Sequence, residues 1–165
     1  MEPTLEQPQL IAPSGPEQVK SAAPSRICLI ALGGEFFAID LRHVREVFEL
    51  ESVTPVPGMP ASLIGVANLR GTVVPLADLR PSLGVSLSAT PKYVVVVRHG
   101  AQQVGILIDE VPEIRTIHPD DMLAASTRGM TDSRSFISVL LKIEDRMSGM
   151  VEVARLLASV EGATI

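Results

Sequence analysis

Apolar residues come in short runs that end at glycine or proline, a pattern typical of β-strands joined by turns. The first block reads "RICLIAL", "GGE" and "FFAIDL". Because Gly33 and Gly34 tolerate the positive φ of a tight turn, this block predicts a hairpin. "DLRHVREV" predicts a short helical turn capped by Asp40, with Leu41 and Val44 on its inner side. "VFELESVTPVP" is expected to be extended again.

The middle of the chain predicts two further strands behind a proline-rich connector. The connector "VPGMPASL" has prolines in or beside it at Pro55, Pro57 and Pro60 and is expected to be rigid. The strands are "SLIGVANL" and "TVVPLADL". Pro75 has no amide hydrogen for a ladder, so we predict that the second strand is an edge strand or carries a bulge. "RPSLGVSLSATPK" reads as a connection.

The last third predicts more strands and a closing helix. "YVVVVRHG" turns into "QVGILIDEV"; "YVVVV" could be a hydrophobic docking strip, but a buried strand explains it better. "PEIRTIHPDDM" leads into the polar stretch "LAASTRGMTDSRS", which is read as a loop. "FISVLLKIE", "DR" and "MSGMVEV" predict a last hairpin. Helical spacing then predicts an amphipathic helix with an apolar face formed by Met150, Val153, Ala154, Leu157 and Val160.

Two segments resemble each other. "LGGEFFAIDLRHVREV" and "RHGAQQVGILIDEVPEI" both run strand, glycine-containing turn, strand, Ile-Asp, then valine and glutamate, so that Ile39–Asp40 matches Ile108–Asp109. The similarity has two explanations, chance in a valine-rich β protein or a second barrel built on the plan of the first. Many short strands with turn signals fit small closed barrels in either case.

Composition limits the classes of partner. The chain has 165 residues, 46% of them hydrophobic, with a net charge of −5 and 3% aromatic residues. Such a chain lacks the basic face and stacking platform of a nucleic-acid binder, which leaves a protein partner as the default. No segment has the pattern of a secretory signal or the length of a membrane span, so a soluble cytoplasmic protein with no direct membrane insertion is expected.

The N-terminal segment and the single cysteine complete this picture. Residues 1–25 hold five of the 13 prolines among Gln, Ser, Glu and Ala, which predicts a disordered tail before a domain at 26–165. Cys28 cannot form a disulfide within the chain, and its apolar neighbours predict a small buried hydrophobe.

The sequence contains no motif that is typical of an enzyme active site. His43, His99 and His118 are not spaced as metal ligands and are read as surface residues, and no phosphate-binding or nucleophile motif occurs. Paired carboxylates such as Asp109/Glu110 point to opposite faces of a strand and are read as solvated surface charge. We therefore expect no enzyme, no cofactor and no metal.

One charged position interrupts the apolar pattern. In "GVANLRGTVVPLADL", Arg70 ends one strand and Gly71 starts the turn to the next. A plain polar turn is one explanation. The sharper hypothesis is a partly buried arginine whose planar fork bonds to Glu46 and fixes this turn against the earlier one. Spacing alone does not decide between them.

At these residues the chain resembles the CheW-like coupling domain of bacterial chemosensory arrays. The similarity runs from about Ile27 to Leu157 and is carried by "IALGGEFFAIDLRHVREV", "TPVPGMPASLIGVANLRGTVVPLADLR", "VGILIDEV" and "DRMSGMVEVARLL". The resemblance implies a mainly β fold of two small five-stranded SH3-like barrels packed about a shared core, with short helical turns and a C-terminal helix. We assign the barrels to roughly 26–90 with C-terminal elements, and to 91–150.

The resemblance also implies a function without catalysis. Proteins of this family join the cytoplasmic tip of a chemoreceptor to the regulatory domain of a CheA-type histidine kinase. By motif position, the receptor-facing surface would comprise Val44, Glu46, Gly65, Asn68, Arg70 and Gly71. Leu41 and its neighbours are candidates for an apolar kinase contact. Two alternatives are an adaptor of a chemosensory-like pathway that controls pili, gliding or a second messenger, and a fragment of a regulated kinase.

Two departures from the family pattern concern the second barrel. Val139 stands where a glycine is usual, and Ser148, Gly149 and Glu152 interrupt a normally apolar final strand. We expect an altered or less stable outer end of that barrel.

Overall fold

The fold is described by a computed structural model, which covers residues 24–60, 63–124 and 136–162. The predicted tail lies outside these ranges apart from its last two residues, as does most of the predicted polar loop. The described ranges contain eleven strands, two 3-10 turns and two helices, which confirms a mainly β fold. The strands are β1 (Ser25–Leu32), β2 (Glu35–Asp40), β3 (Val44–Glu49), β4 (Leu63–Leu69), β5 (Thr72–Ala77), β6 (Tyr93–His99), β7 (Gln102–Ile108), β8 (Glu113–Ile117), β9 (Met122–Ala124), β10 (Ile137–Ile143) and β11 (Arg146–Val151).

The remaining elements are short. The 3-10 turns are Leu41–His43 and Pro119–Asp121, and the helices are Arg80–Leu83 and Val153–Gly162. Asp40 caps the first 3-10 turn by accepting a hydrogen bond from the backbone N–H of Arg42, as the sequence predicts. No helix in the described ranges is long and apolar enough to cross a bilayer.

The strands form two sheets that curl toward barrels. The six-stranded sheet has the order β8-β1-β2-β11-β10-β9, and its edge strands β8 and β9 are joined only by residues 118–121, so the two edges lie close together. The five-stranded sheet has the order β3-β6-β7-β5-β4. There Thr54, beyond β3, forms an isolated bridge to Val66 of β4 through two backbone hydrogen bonds of 2.9 Å. That bridge joins the two edges.

Three hydrophobic clusters match this architecture. One fills the six-stranded barrel around Ile27, Leu29 and Leu141, and another fills the five-stranded barrel around Leu76 and Val94. The third and largest lies between the sheets and against the C-terminal helix. The strand "YVVVV" is an uninterrupted apolar run because its alternate valines face either the barrel interior or the shared core. The buried-strand interpretation is confirmed.

The two sheets share one plan but exchange elements. β1–β2 and β6–β7 are equivalent hairpins: β2 runs parallel to β11, and β7 runs parallel to β5. The strand that follows each hairpin joins the other sheet, β3 beside β6 and β8 beside β1. Residues 26–90 and 91–150 therefore describe successive halves of the chain, whereas each sheet combines strands from both halves. Asp40 is the last residue of β2, whereas Asp109 comes directly after Ile108, the last residue of β7.

The prediction for Pro75 was wrong in both forms, because β5 is not an edge strand and does not carry the bulge. β5 lies inside the five-stranded sheet, between β7 and β4. Its pairing with β7 involves only Leu76 and Ala77, so Pro75 lies just outside that ladder and needs no amide hydrogen there. The register shift in the β4–β5 pair falls between Leu63 and Gly65 of β4, so the bulge belongs to the neighbouring strand.

The C-terminal helix differs from its predicted face. Met150 belongs to β11, and the helix begins at Val153. Ala154 is exposed, while Leu156 is buried beside Val153, Leu157 and Val160. The apolar face of the helix therefore starts at Val153, three residues later than predicted.

The two departures in the second barrel are accommodated by packing. Val139 packs against the interior of the six-stranded barrel, next to a register shift in β10. Ser148 is 2% exposed, and Gly149 pairs with Leu140 on one side and Phe37 on the other. The strand "MSGMV" thus keeps both ladders despite its polar residues.

Candidate functional site

The site is centred on the two-residue turn between β4 and β5. Leu69 pairs with Thr72, which leaves Arg70 and Gly71 as the turn, with φ values of +54° and +85°. This is the backbone that a tight hairpin requires, although left-handed φ costs a residue with a Cβ roughly 1–2 kcal/mol. The side-chain oxygen of Asn68 accepts a 2.9 Å hydrogen bond from the N–H of Gly71 and closes the turn.

A bulge in β3 brings Glu46 to this turn. Val44 pairs with Val97, whereas Glu46 pairs with Val96, so the register shifts at the intervening Arg45. Val97 faces the shared core and Val96 faces the barrel interior. The shift therefore leaves Val44 packed against the shared core and places Glu46 with the barrel side.

Arg70 and Glu46 form the predicted pair, but in an exposed setting. The guanidinium Nη1 lies 3.1 Å from Oε1 of Glu46, and the side chains are 76% and 38% exposed. The guanidinium carbon also lies 5.6 Å from the centre of the Phe48 ring, within cation–π range. The expectation of a partly buried arginine with a two-bond fork was wrong. A single exposed contact contributes under about 1 kcal/mol, so the fold barely depends on it.

Two grooves meet at this arginine. One has a volume of about 240 Å³ and is lined by Glu46, Thr72, Val74, Val96, Gln103 and two further arginines, Arg45 and Arg98. The other has a volume of about 380 Å³ and lies between the end of β3 and β4, with Glu49, Glu51 and Asn68 among its lining residues. Phe48, Leu69 and Arg70 line both grooves. We call these three residues the Arg70 ridge.

The structure divides the six residues assigned to the receptor-facing surface. Glu46, Asn68, Arg70 and Gly71 come together at the turn. Val44 packs against the shared core. Gly65 is buried with φ of +154°, and a Cβ on it would lie 2.5 Å from the backbone oxygen of Thr54. Its place under the bridge that joins the edges of the five-stranded barrel explains why a glycine stands there.

The candidate kinase contact lies elsewhere on the molecule. Leu41 is half-buried, packs against the shared core and lines a groove with Asp40, Arg42 and residues 24–26. Three side-chain hydrogen bonds of 2.8–3.2 Å join the guanidinium of Arg42 to the carboxylate of Asp40. These bonds hold the pKa of Asp40 below its ordinary value. The groove thus has two apolar side chains, Leu41 and Pro24, beside a fixed ion pair.

The histidines are arranged differently from the sequence interpretation. His118 and His99 are exposed, but His43 is half-buried, and its ring lies 5.6 Å from that of His99. The strand pairing of Val44 with Val97 brings them together, a long-range contact that spacing does not show. Across the described ranges, no cluster of three or more potential metal ligands occurs.

Cys28 has the predicted character of a buried apolar residue. It is 1% exposed, and its burial raises the pKa of the thiol to about 11. The protonated thiol is a poor nucleophile, so Cys28 has a packing role.

Sequence reasoning missed a buried ion pair. Arg80 is 7% exposed and donates two side-chain bonds to Asp78, of 2.9 and 2.8 Å, and one of 2.6 Å to the carbonyl of Ala89. Burial alone raises the pKa of Asp78, but the bonds from Arg80 outweigh it and leave that pKa below its ordinary value. Arg80 thereby fixes the loop between the two halves of the chain. The pattern "DLR" was the available signal, because a carboxylate two residues before an arginine can form this local pair.

Comparisons with known proteins place the chain in a family. The family model for the CheW-like domain matches residues 26–161. The chemotaxis protein CheW of Rhizobium meliloti (strain 1021) is 33% identical over 132 residues, 79% of this chain and 85% of that protein. Protein PilI of Pseudomonas aeruginosa is 39% identical over 82 residues, 48% of this chain and 46% of that protein.

A solved structure is similar over most of the fold. The scaffolding protein TtCheW from Thermoanaerobacter tengcongensis superimposes with a TM-score of 0.69 at 26% identity, covering 78% of this chain and 89% of that chain. The family model spans nearly all of the chain beyond the predicted tail, and the paired barrels follow the same architecture. The chain belongs to the CheW-like domain family.

Proposed function

We propose that this protein is a non-enzymatic adaptor of chemotaxis signal transduction. It couples the cytoplasmic tip of a chemoreceptor to the regulatory domain of a CheA-type histidine kinase, at membrane receptor arrays in the cytoplasm. The observation that carries the proposal is the Arg70 ridge, where an exposed arginine is oriented by Glu46 and Phe48 between two grooves. Family membership supplies the class of partner.

The exposure of Arg70 supports a binding role rather than a structural one. A side chain that is 76% exposed adds little to folding, yet its backbone adopts the less favourable left-handed conformation. Arginine beside an aromatic ring is a frequent centre of protein interfaces. We therefore assign Arg70, Glu46, Asn68 and Gly71 to receptor contact, with Val44 and Gly65 as the framework beneath them.

The kinase contact is assigned to a separate surface at Leu41. The Arg42–Asp40 pair beside it would fix the edge of an apolar contact. Separate surfaces allow both partners to bind at once, as an adaptor requires.

A titration tests the proposal. The full chain is titrated with the regulatory domain of the CheA-type kinase from the same organism, and separately with a chemoreceptor tip fragment. We expect saturable binding to each and a ternary complex when both are present. Binding to neither would refute the adaptor function, and competition between the two would refute separate surfaces.

The pilus-linked alternative has weaker support. The match to PilI covers 48% of this chain, against 79% for the chemotaxis protein CheW of Rhizobium meliloti. A tip fragment from a pilus-linked receptor, used beside a flagellar one in the same titration, separates the two pathways by affinity.

A further inference from the structure

The two grooves beside the Arg70 ridge carry opposite charge. The smaller groove has Arg45 and Arg98 on its walls, and the larger one has Glu49 and Glu51. All four side chains belong to exposed residues. Arg70 lies on the boundary, with its charge opposed by Glu46. Charge therefore changes sign across the ridge.

The four outer charges are available to a partner. Within the described part of the chain, neither Arg45 nor Arg98 forms an ion pair with a carboxylate; Arg98 donates a 2.9 Å hydrogen bond to the carbonyl of Gly100. Glu49 and Glu51 likewise form no ion pair in the described ranges. By contrast, Asp40, Asp78 and Glu113 each have an arginine partner.

The position of these charges follows from the fold. The bulge in β3 turns Glu46 toward the barrel, and Arg45 is the extra residue of that bulge. Arg45 lies near the C-terminal end of β6, where Arg98 is located. Glu49 is the last residue of β3. Glu51 lies just beyond it, in the segment that runs from β3 to the Thr54 bridge. The basic side thus lies near the start of β3 and the acidic side near its end.

We propose that the Arg70 ridge binds a protein segment whose charges complement those on its two sides. The segment has carboxylates over Arg45 and Arg98 and basic side chains over Glu49 and Glu51. The proposal rests on the proposed function, since it specifies the chemistry of the partner at the same surface. The apolar side chains of the ridge, Phe48 and Leu69, would pack against the segment. The charged residues on the two sides of the ridge would fix the direction in which the segment runs. Charge complementarity of this kind sets register and rejects the reversed orientation.

Charge reversal on each flank tests the polarity. The probe is a chemoreceptor tip fragment from the same organism, titrated at low and at high salt. The variants are Arg45→Glu/Arg98→Glu and Glu49→Lys/Glu51→Lys; Lys142→Glu, an exposed residue of β10 in the other sheet, is the control for a reversed charge. Thermal melts of all variants check folding.

We expect each double reversal to weaken binding by at least about ten-fold at low salt, and Lys142→Glu by less than about two-fold. The loss should shrink at high salt. If the wild-type chain binds and both double variants bind as tightly as Lys142→Glu, the polarity proposal is refuted while the adaptor function stands. If only one of the two double variants loses affinity, the proposal that the partner carries both charges is refuted as well. No binding by the wild-type chain refutes both proposals.

Discussion

The turns β4–β5 and β10–β11 occupy equivalent places in the two sheets and carry opposite charges. Both are two-residue turns with positive φ, at Arg70–Gly71 in one sheet and Glu144–Asp145 in the other. Each turn forms an ion pair with the strand that follows the hairpin of the other sheet. Arg70 bonds to Glu46 of β3 at 3.1 Å, and Glu144 bonds to Arg115 of β8 at 2.7 Å.

The difference lies in how each arginine is held. Arg115 is 32% exposed and contacts two carboxylates, Glu144 and Glu113, which raise its pKa. Arg70 is 76% exposed, contacts one carboxylate and lies over Phe48. One plan therefore yields a satisfied arginine on the six-stranded barrel and an available one on the five-stranded barrel. A few side chains at the turns therefore distinguish two barrels of the same architecture.

The largest expected effect is a loss of stability when a buried glycine of the five-stranded barrel is replaced by alanine. Gly65→Ala would force a Cβ to within 2.5 Å of the Thr54 backbone, at φ of +154°. We expect a loss of about 2–4 kcal/mol in the free energy of unfolding, measured by urea denaturation. Gly149→Ala in β11 is the matched control, because its Cβ would meet side chains and no backbone atom, Ile137 at 3.1 Å and Phe37 at 3.5 Å. Equal losses would contradict the role of Gly65 beneath the Thr54 bridge.

The next effect concerns the buried Asp78–Arg80 pair, which holds the loop between the two halves of the chain. Arg80→Ala leaves Asp78 half-buried without its partner, and we expect a loss of about 3 kcal/mol in urea at pH 7. Asp40→Asn removes the more exposed Asp40–Arg42 pair and should cost much less. Similar costs for the two variants would show that burial of Arg80 does not determine its contribution.

The same pair predicts a dependence on pH. The pKa of Asp78 in the folded protein lies below its ordinary value of 3.8, so the folded state binds fewer protons than the unfolded chain in acid. Its stabilisation is present above that ordinary value and is lost as the pH falls through the lower folded pKa. Urea midpoints between pH 5 and pH 2 should therefore fall more steeply for the wild-type chain than for Arg80→Ala. Parallel curves would contradict this linkage.

Local features were predictable from the sequence because they depend on neighbouring residues. The hairpin at Gly33–Gly34, the Asp40 cap and the buried valine strand follow from turn chemistry and apolar patterning. The pairing of Arg70 with Glu46 was a hypothesis supported by motif resemblance, and the contact is confirmed.

Long-range features were not predictable in this way. The exchange of β3 and β8 between sheets, and the interior place of β5, depend on contacts between distant strands. The exposure of Arg70 was missed because an apolar sequence context does not show that a turn projects into solvent. The shift at Arg45 was missed because a bulge is visible only in the pairing of β3 with β6.

The smallest expected effects concern the two turn tips themselves. Arg70→Ala and Glu144→Ala each remove an exposed ion pair, so we expect changes of less than about 2 °C in melting temperature. Arg70→Gly should raise the melting temperature slightly, because glycine adopts φ of +54° without a Cβ clash. Calorimetry of the three variants checks these values. A large drop for Arg70→Ala alone would make Arg70 a structural residue.

The most direct test compares partner binding by variants of the β4–β5 and β10–β11 turns. Arg70→Glu and Glu144→Arg reverse charge at equivalent turns, and each is titrated with a chemoreceptor tip fragment and with the kinase regulatory domain. We predict that Arg70→Glu weakens receptor binding by about ten-fold or more while kinase binding and the melting temperature stay near wild type. Glu144→Arg should leave receptor binding within about two-fold of wild type. Equal loss of receptor binding in both variants, or loss of both partners in Arg70→Glu, would contradict the account.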